Sequence, residues 1–349
     1  QGQTTFLISK AVVPSQESWP SWPRNIILTL FFGGFLAVGL CFFLDYMDTA
    51  IKSEADVHSQ LGSTVLARLP RAGEAAESER LEDLAVLKDP RGHAAEAFRS
   101  LRTALAFNVP GDPLRSVVVS STFPAEGKSL VSVNLATIQA QVGKRTLVID
   151  SDMRKPRLHN VFSVMPEKGL ANLLASEEDL RLEDVVLQTT LENLSFLPCG
   201  PVPHNPVEML DSKRFGDILA EIESKFEFTV FDSPPGITMA DPLIMGKRTG
   251  GVLLVVRSFV TPKHAVRDFT THMREADVRL LGVVLNNVDT PKGGYYGYYY
   301  ENYRYYRPYG RYEEPGPEKG EDGVFSRIRD WRDRLPLFKS QPPPNGTQT

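Results

Sequence analysis

Cysteine is nearly missing from this chain. Cys41 sits inside an apolar run and Cys199 is isolated, and there are no others. That excludes a disulfide framework and a thiolate metal centre, and it suits a reducing compartment for the bulk of the chain. An excess of basic charge is lacking too. The 39 Lys and Arg face 43 Asp and Glu, a formal net charge of -4, so overall charge gives no reason to expect nucleic-acid binding. The sequence opens at Gln1 without a methionine, and a missing upstream region is expected.

Charge is also absent between Ile26 and Leu44. These 19 residues include Phe31, Phe32, Phe35, Phe42 and Phe43, and their length matches the hydrocarbon thickness of a bilayer at helical rise. A buried core helix should show a polar face, which this run lacks. A signal-peptide core should follow a short basic start and end at small residues. The run is therefore expected to cross a membrane. Gly33, Gly34, Ala37 and Gly39 offer a close-packing face, as is common in such helices. Trp19 and Trp22, in the proline-bearing stub before it, suit a membrane interface. Lys and Arg are sparse on both flanks, so orientation rests on the rest of the chain.

After the apolar run, residues 46–88 are polar and charged, with one strand-like stretch at 64–69, and read as a linker. Between His93 and Phe107 apolar residues fall at Phe98, Leu101 and Leu105, a helical spacing. From Arg115 a β/α alternation begins. Strand-like runs occur at 117–120, 146–149, 194–197, 228–231, 251–256 and 281–285, with helical segments at 129–142, 207–225 and 263–276. Several strands are continuous Val/Leu/Ile runs, as expected when helices cover both faces of a parallel sheet. The fold class is α/β, a doubly wound and mostly parallel sheet.

The run Val117-Val118-Val119-Ser120-Ser121-Thr122-Phe123-Pro124-Ala125-Glu126-Gly127-Lys128-Ser129 reads as strand, tight loop and helix start. It follows the P-loop pattern G-x-x-x-x-G-K-[ST], with Thr122 where the first glycine usually stands. The loop residues Thr122, Pro124, Ala125, Glu126 and Gly127, with Lys128, Ser129 and Leu130 of the first helical turn, are the candidate nucleotide-binding set, and the backbone N–H groups among them wrap phosphates at a helix N-terminus. Lys128 reaches the β/γ-phosphates and the Ser129 hydroxyl takes a Mg²⁺ position. Thr122 is expected to cost the loop some backbone freedom. Two more strands end in acids, Asp150-Ser151-Asp152 and Asp232-Ser233-Pro234-Pro235. In a parallel sheet both endings emerge on the P-loop side. Mg²⁺ wants a few carboxylates and water; Asp232 is the natural ligand or water-holder. Either Asp150 or Asp152 shares that work, leaving the other as a base.

These residues resemble the bacterial tyrosine kinase family, in particular its membrane polysaccharide co-polymerase type. Pro124-Ala125-Glu126-Gly127-Lys128-Ser129 looks like that family's Walker A motif, Asp150-Ser151-Asp152-Met153-Arg154 like its A′ motif, and Phe231-Asp232-Ser233-Pro234-Pro235 like its Walker B motif. Glu96-Ala97-Phe98-Arg99-Ser100-Leu101-Arg102 is similar to its E-x-x-R-x-x-R oligomerisation motif. The stub and apolar helix resemble the end of a chain-length-determinant region. The resemblance implies ATP and Mg²⁺ as cofactors. Lys128 would hold the phosphates, Ser129 and Asp232 the metal, with Asp152 helping through its water shell, and Asp150 would take the tyrosine proton. Asn286 would contact adenine, although a strand-ending turn residue explains it as well. The implied division is an extracytoplasmic stub at 1–24, a transmembrane helix at 25–45, a cytoplasmic linker at 46–88, a P-loop kinase domain at 89–291 and a tail at 292–349.

Ten of the eleven tyrosines crowd the tail: Tyr295, Tyr296, Tyr298, Tyr299, Tyr300, Tyr303, Tyr305, Tyr306, Tyr309 and Tyr312; the other is Tyr46. A Gly/Arg/Pro-rich run without period cannot build a core and is expected to be disordered. Interleaved Arg304, Arg307 and Arg311 keep a nucleic-acid stacking role in play; a kinase domain in the same chain favours phospho-acceptors and no nucleic acid. The expected function is an ATP-dependent tyrosine autokinase of the bacterial inner membrane, its kinase domain cytoplasmic. It would act between subunits of a ring-like homo-oligomer and regulate polysaccharide polymerisation and export, with polymerase machinery and a tyrosine phosphatase as partners. A membrane-anchored P-loop ATPase scaffold without kinase activity is the alternative. Septum-positioning ATPases carry an early loop lysine where Phe123 stands, and Asn286-Asn287-Val288-Asp289 lacks the lysine of the GTPase N-K-x-D motif.

Overall fold

The computed structural model describes residues 21–70, 84–107, 113–175 and 180–288. The stub before residue 21 and all ten tail tyrosines lie outside these. The apolar run forms helix α1, Trp22–Met47. Its segment Trp22–Leu44 is long and apolar enough to cross a membrane, with a mean hydropathy of 2.5 and no part buried against protein.

Eight strands follow: β1 Val65–Pro70, β2 Ser116–Ser121, β3 Thr146–Asp150, β4 Leu187–Gln188, β5 Leu194–Leu197, β6 Phe228–Asp232, β7 Val252–Arg257 and β8 Leu280–Val288. They form one sheet in the order β1-β8-β7-β2-β6-β3-β5-β4. Every pairing is parallel except that of the two-residue edge strand β4 with β5. The helices are α2 Glu54–Leu61, α3 Ala85–Lys88, α4 His93–Phe107, α5 Lys128–Gln141, α6 Leu158–Val161, α7 Leu170–Ala175, α8 Leu182–Val185, α9 Pro206–Asp211, α10 Lys213–Lys225, α11 Asp241–Arg248 and α12 Lys263–Glu275. The long helix expected over 207–225 is two helices. Ser212 breaks it by capping the second, its hydroxyl accepting from Phe215 N, an N-cap role that serine fills well.

Successive strand residues alternate between two cores. Val118, Leu147, Ile149, Phe231 and Leu254 pack with α7, α10, α11 and α12 on one face. Val117, Val119, Val148, Val230 and Leu253 pack with α4 and α5 on the other. Both faces are covered, which is why the strands read as unbroken apolar runs.

One expectation needs correction. The segment after α1 is no linker: residues 49–70 are built into the domain. Lys263 N donates to Thr49 O at 2.8 Å, Ile51 N to Thr261 O at 2.9 Å, and Phe259 N to Ile51 O at 2.9 Å. Ile51 and Val57 are fully buried, and β1 pairs in parallel with β8 as an edge strand. The physical reason is that the edge of β8 would otherwise present unpaired backbone groups.

Candidate active site

After β2 the chain turns through residues 122–127 and enters α5 at Lys128. Two loop residues have positive φ, Ala125 at 62° and Gly127 at 99°. A Cβ on Gly127 would lie 2.1 Å from Asn286 Nδ2, so glycine alone lets the loop pass against that amide. Thr122 is not among the positive-φ positions. Threonine there costs no backbone strain, which corrects the expectation for this residue. Its buried hydroxyl has no hydrogen-bond partner. Pro124, Ala125 and Leu130 are exposed and Ser129 half-buried.

The loop is braced from behind. Glu126, only 3% exposed, accepts from Phe123 N at 2.9 Å and from the Thr261 hydroxyl. Burial pushes its carboxyl above the usual range, against those hydrogen bonds. Asn286 Nδ2 donates to Glu126 O at 2.8 Å while its Oδ1 accepts from Asn287 N at 2.8 Å.

Three acids meet this loop because β3 and β6 are neighbours in register, with Asp150 paired to Asp232. All three are nearly or fully buried. Asp150 Oδ2 accepts from Arg157 N at 3.0 Å and Leu158 N at 2.9 Å; its Oδ1 has no partner. Burial, then the charges of Asp232 and Asp152, push Asp150 up to about 8, so it holds a proton at neutral pH. Asp152 Oδ1 accepts from Arg154 N at 3.3 Å and Lys155 N at 3.0 Å, and Oδ2 from Lys128 Nζ at 3.2 Å. Asp232 Oδ1 accepts from Ser132 Oγ at 3.0 Å while Oδ2 has no hydrogen-bond partner. Burial raises Asp232, opposed by Lys128, Ser129 and Ser132.

This donor set fits a hydrated divalent cation beside phosphate. Two carboxylates keep a free buried oxygen, and the Ser129 hydroxyl lies against Asp232. Mg²⁺ shares its shell with water and substrate phosphate, so one or two carboxylates and a hydroxyl are enough protein ligands for it.

Glu96, Arg99 and Arg102 lie together on α4. Arg99 Nη1 pairs with Glu96 Oε2 at 2.9 Å within the helix, and Arg99 Nη2 donates to Pro90 O at 2.6 Å. Three features escaped sequence reasoning: Ser132 on Asp232, Thr261 on Glu126, and an ion pair of Arg154 with Asp241. The first had a faint signal, since Ser132 is one helical turn from Lys128.

Fold and site define a P-loop nucleotide-binding domain of the doubly wound α/β class. A family profile described as an AAA domain matches residues 118–255. The chain is 32% identical over 297 residues to the tyrosine-protein kinase ptk of Acinetobacter johnsonii, covering 83% of this chain and 40% of that protein. It is 32% identical over 222 residues to the tyrosine-protein kinase YwqD of Bacillus subtilis, covering 64% of this chain and 93% of the relative. The succinoglycan biosynthesis transport protein ExoP of Rhizobium meliloti is 28% identical over 83% of this chain and 40% of its own length. Among solved structures, the kinase domain of the Escherichia coli tyrosine kinase ETK matches with a TM-score of 0.60 at 27% identity, over 67% of this chain and 95% of that one. The chain belongs to the bacterial tyrosine kinase family. It spans about two-fifths of the length of the Acinetobacter and Rhizobium relatives.

Proposed function

We propose that this chain is an ATP- and Mg²⁺-dependent protein-tyrosine kinase that phosphorylates the tyrosines at 295–312 on neighbouring copies of itself. The observation that carries this reading is the meeting of Lys128, Ser129, Asp150, Asp152 and Asp232 at one sheet edge, in a chain that also bears ten clustered tyrosines. Helix α1 would anchor it in the bacterial inner membrane with the kinase domain cytoplasmic. Relatives named for tyrosine phosphorylation and for succinoglycan transport support a place beside polysaccharide polymerase and export machinery, with a phosphatase to reverse the reaction.

Bound there, Mg²⁺-ATP supplies the transferable phosphoryl group and a divalent charge among the acids. Lys128 must leave Asp152 to reach phosphate, and Asp152 then has an oxygen free for the metal's water shell, beside Ser129 and Asp232. Asp150 is the group that accepts the phenol's proton. It can do so only once its own proton is lost, which requires relief of its burial and of its repulsion with Asp232 and Asp152. Asn286 is proposed to contact adenine with the amide N–H that the loop does not use.

The test is intact mass and peptide mapping of the purified chain after incubation with Mg²⁺-ATP. Phosphate on tail tyrosines, abolished by Lys128→Met, is the expected result. ATP hydrolysis without phosphotyrosine would instead establish the scaffold ATPase. Transfer between subunits is tested by mixing a Lys128→Met chain with an active chain lacking residues after Gly293; the inactive chain should become labelled. Changing Glu96, Arg99 and Arg102 together to alanine should yield a slower, monomeric enzyme.

A further inference from the structure

Arg154 and Asp241 make an ion pair whose place in the fold exceeds what stability needs. Arg154 Nε lies 3.2 Å from Asp241 Oδ2 and Arg154 Nη2 lies 3.4 Å from Asp241 Oδ1, a two-pronged contact that fixes orientation as well as distance. The Asp241 side chain is 2% exposed and the Arg154 side chain 34% exposed. An ion pair whose carboxylate is this deeply buried gains little net free energy, because desolvation offsets the attraction; fixing one arrangement over others is the role such pairs fill best.

What it fixes follows from the two loops it joins. Asp150 and Asp232 are paired residues at the ends of β3 and β6, so the turn after one and the loop after the other start side by side. Ser151 ties them at the start, donating from N and Oγ to Asp232 O at 2.9 and 2.6 Å. Farther out Arg154 and Asp241 bring them together again, the latter being the first residue of α11. Helix α11 is anchored in the core by the fully buried Met245, so Asp241 is a firm post. Arg154 belongs to the turn built on Asp152: its own N–H and that of Lys155 bond Asp152 Oδ1, and the other Asp152 oxygen faces Lys128.

We propose that the Arg154–Asp241 pair is a latch between the A′ turn and the Walker B loop, and that through it Arg154 positions Asp152 for the nucleotide's metal ion. Arg154 is thus a positioning residue that acts through Asp152. The inference rests on the nucleotide-and-metal reading of the site, though not on the identity of the phosphoryl acceptor.

The test is a double-mutant cycle on the full chain in detergent, read by titration with a fluorescent ATP analogue with and without Mg²⁺ and by thermal unfolding without ligand. Wild type should bind the analogue more tightly when Mg²⁺ is present. Arg154→Ala and Asp241→Asn should each shrink that Mg²⁺-dependent gain about tenfold while leaving metal-free affinity, set by the P-loop, unchanged. Arg154→Ala should also lower the unfolding midpoint, because it strands a buried carboxylate. The double variant removes that stranded charge. Its midpoint should recover while the Mg²⁺ gain stays as low as in either single variant. A gain that returns with the midpoint, or that neither single variant reduces, overturns the proposal. If Mg²⁺ improves binding in wild type and no phosphotyrosine forms, the kinase reading fails and the latch stands or falls on the binding data. If Mg²⁺ leaves wild-type binding unchanged, the latch has no metal to serve and is rejected.

Discussion

The two ends of the central strands treat charge in opposite ways. At the amino end, Arg145 and Glu227 pair at 3.5 Å with their side chains 61% and 51% exposed, and water does most of the solvation. At the carboxyl end, Asp150, Asp152 and Asp232 are each no more than 3% exposed. Two of them keep an oxygen without a partner, and one base, Lys128, sits among them. The same strands supply both ends, so the contrast is not forced by the sheet. Buried unpaired oxygens are expensive to keep. The nucleotide-free chain carries at one end a cost that an incoming cation would relieve, and at the other end nothing comparable.

The sharpest way to break the contrast is to remove charge from the carboxyl end. Asp232→Asn keeps an acceptor for Ser132 and removes a buried charge. Phosphotyrosine formation should fall about 100-fold or more, on the scale of losing one preorganised charge-stabilising group, while the unfolding midpoint of the nucleotide-free chain rises. Activity and calorimetry on one preparation check both signs. A fall in midpoint would mean that Asp232 is stabilising in its present place.

Proton linkage offers the next effect. Asp150 is raised in the folded chain to about 8 from an ordinary carboxylate value of 3.8. The folded state therefore holds a proton that the unfolded chain releases. That contribution to stability is full below about pH 4, declines as pH rises, and is gone once pH passes about 8. Denaturant midpoints from pH 5 to 9 should fall for the wild type in metal-free buffer. Asp150→Asn, which has no proton to lose, should flatten the fall over that window.

The carboxyl end was the more legible part of the sequence. A phosphate loop is local: strand, turn and helix are contiguous, so residues 117–129 announce it, and acids at the ends of apolar runs announce Asp150 and Asp232. What was missed is what is distant along the chain. Strand β1 pairs Val65 with Val283, and nothing in a short run between polar segments names a partner that far away. Asp241 drew no notice in the sequence, and only folding brings it to Arg154. Thr122 misled because the pattern suggests that its position needs glycine, whereas the backbone places the positive φ angles at Ala125 and Gly127. Sequence pattern carries residue type; which dihedral a type must serve belongs to the fold.

A smaller effect tests how tightly the Walker B loop is packed. Gly236 donates its N–H to Ser121 O at 2.8 Å, and a Cβ there would fall 1.8 Å from Cζ of the fully buried Phe269. That atom belongs to a ring held on α12 in the core, so it has little room to retreat. Gly236→Ala should destabilise by about 1–3 kcal/mol through overpacking, read as a lower midpoint with the slope of the denaturation curve unchanged.

The smallest effect is expected at the amino end, where it matters most to the comparison. Arg145 and Glu227 are joined three times, by the side-chain pair at 3.5 Å, by Glu227 Oε2 accepting from Arg145 N at 3.0 Å, and by Glu227 N donating to Arg145 O at 2.8 Å. The backbone bond and the arginine charge hold the Glu227 carboxyl below its usual range. Both side chains remain largely in water, so the attraction is screened and ordering two long side chains costs entropy. Arg145→Ala leaves both bonds to the residue's backbone in place and removes only the screened part. Its unfolding midpoint should stay within about 2 °C of wild type, and phosphotyrosine formation should be unchanged, because the pair lies at the opposite end of β3 from Asp150. Raising the salt concentration should narrow the difference further. A large loss of stability or activity from this exposed pair would show that the two ends of the sheet are coupled, and that the strain at the carboxyl end is balanced from across the strands.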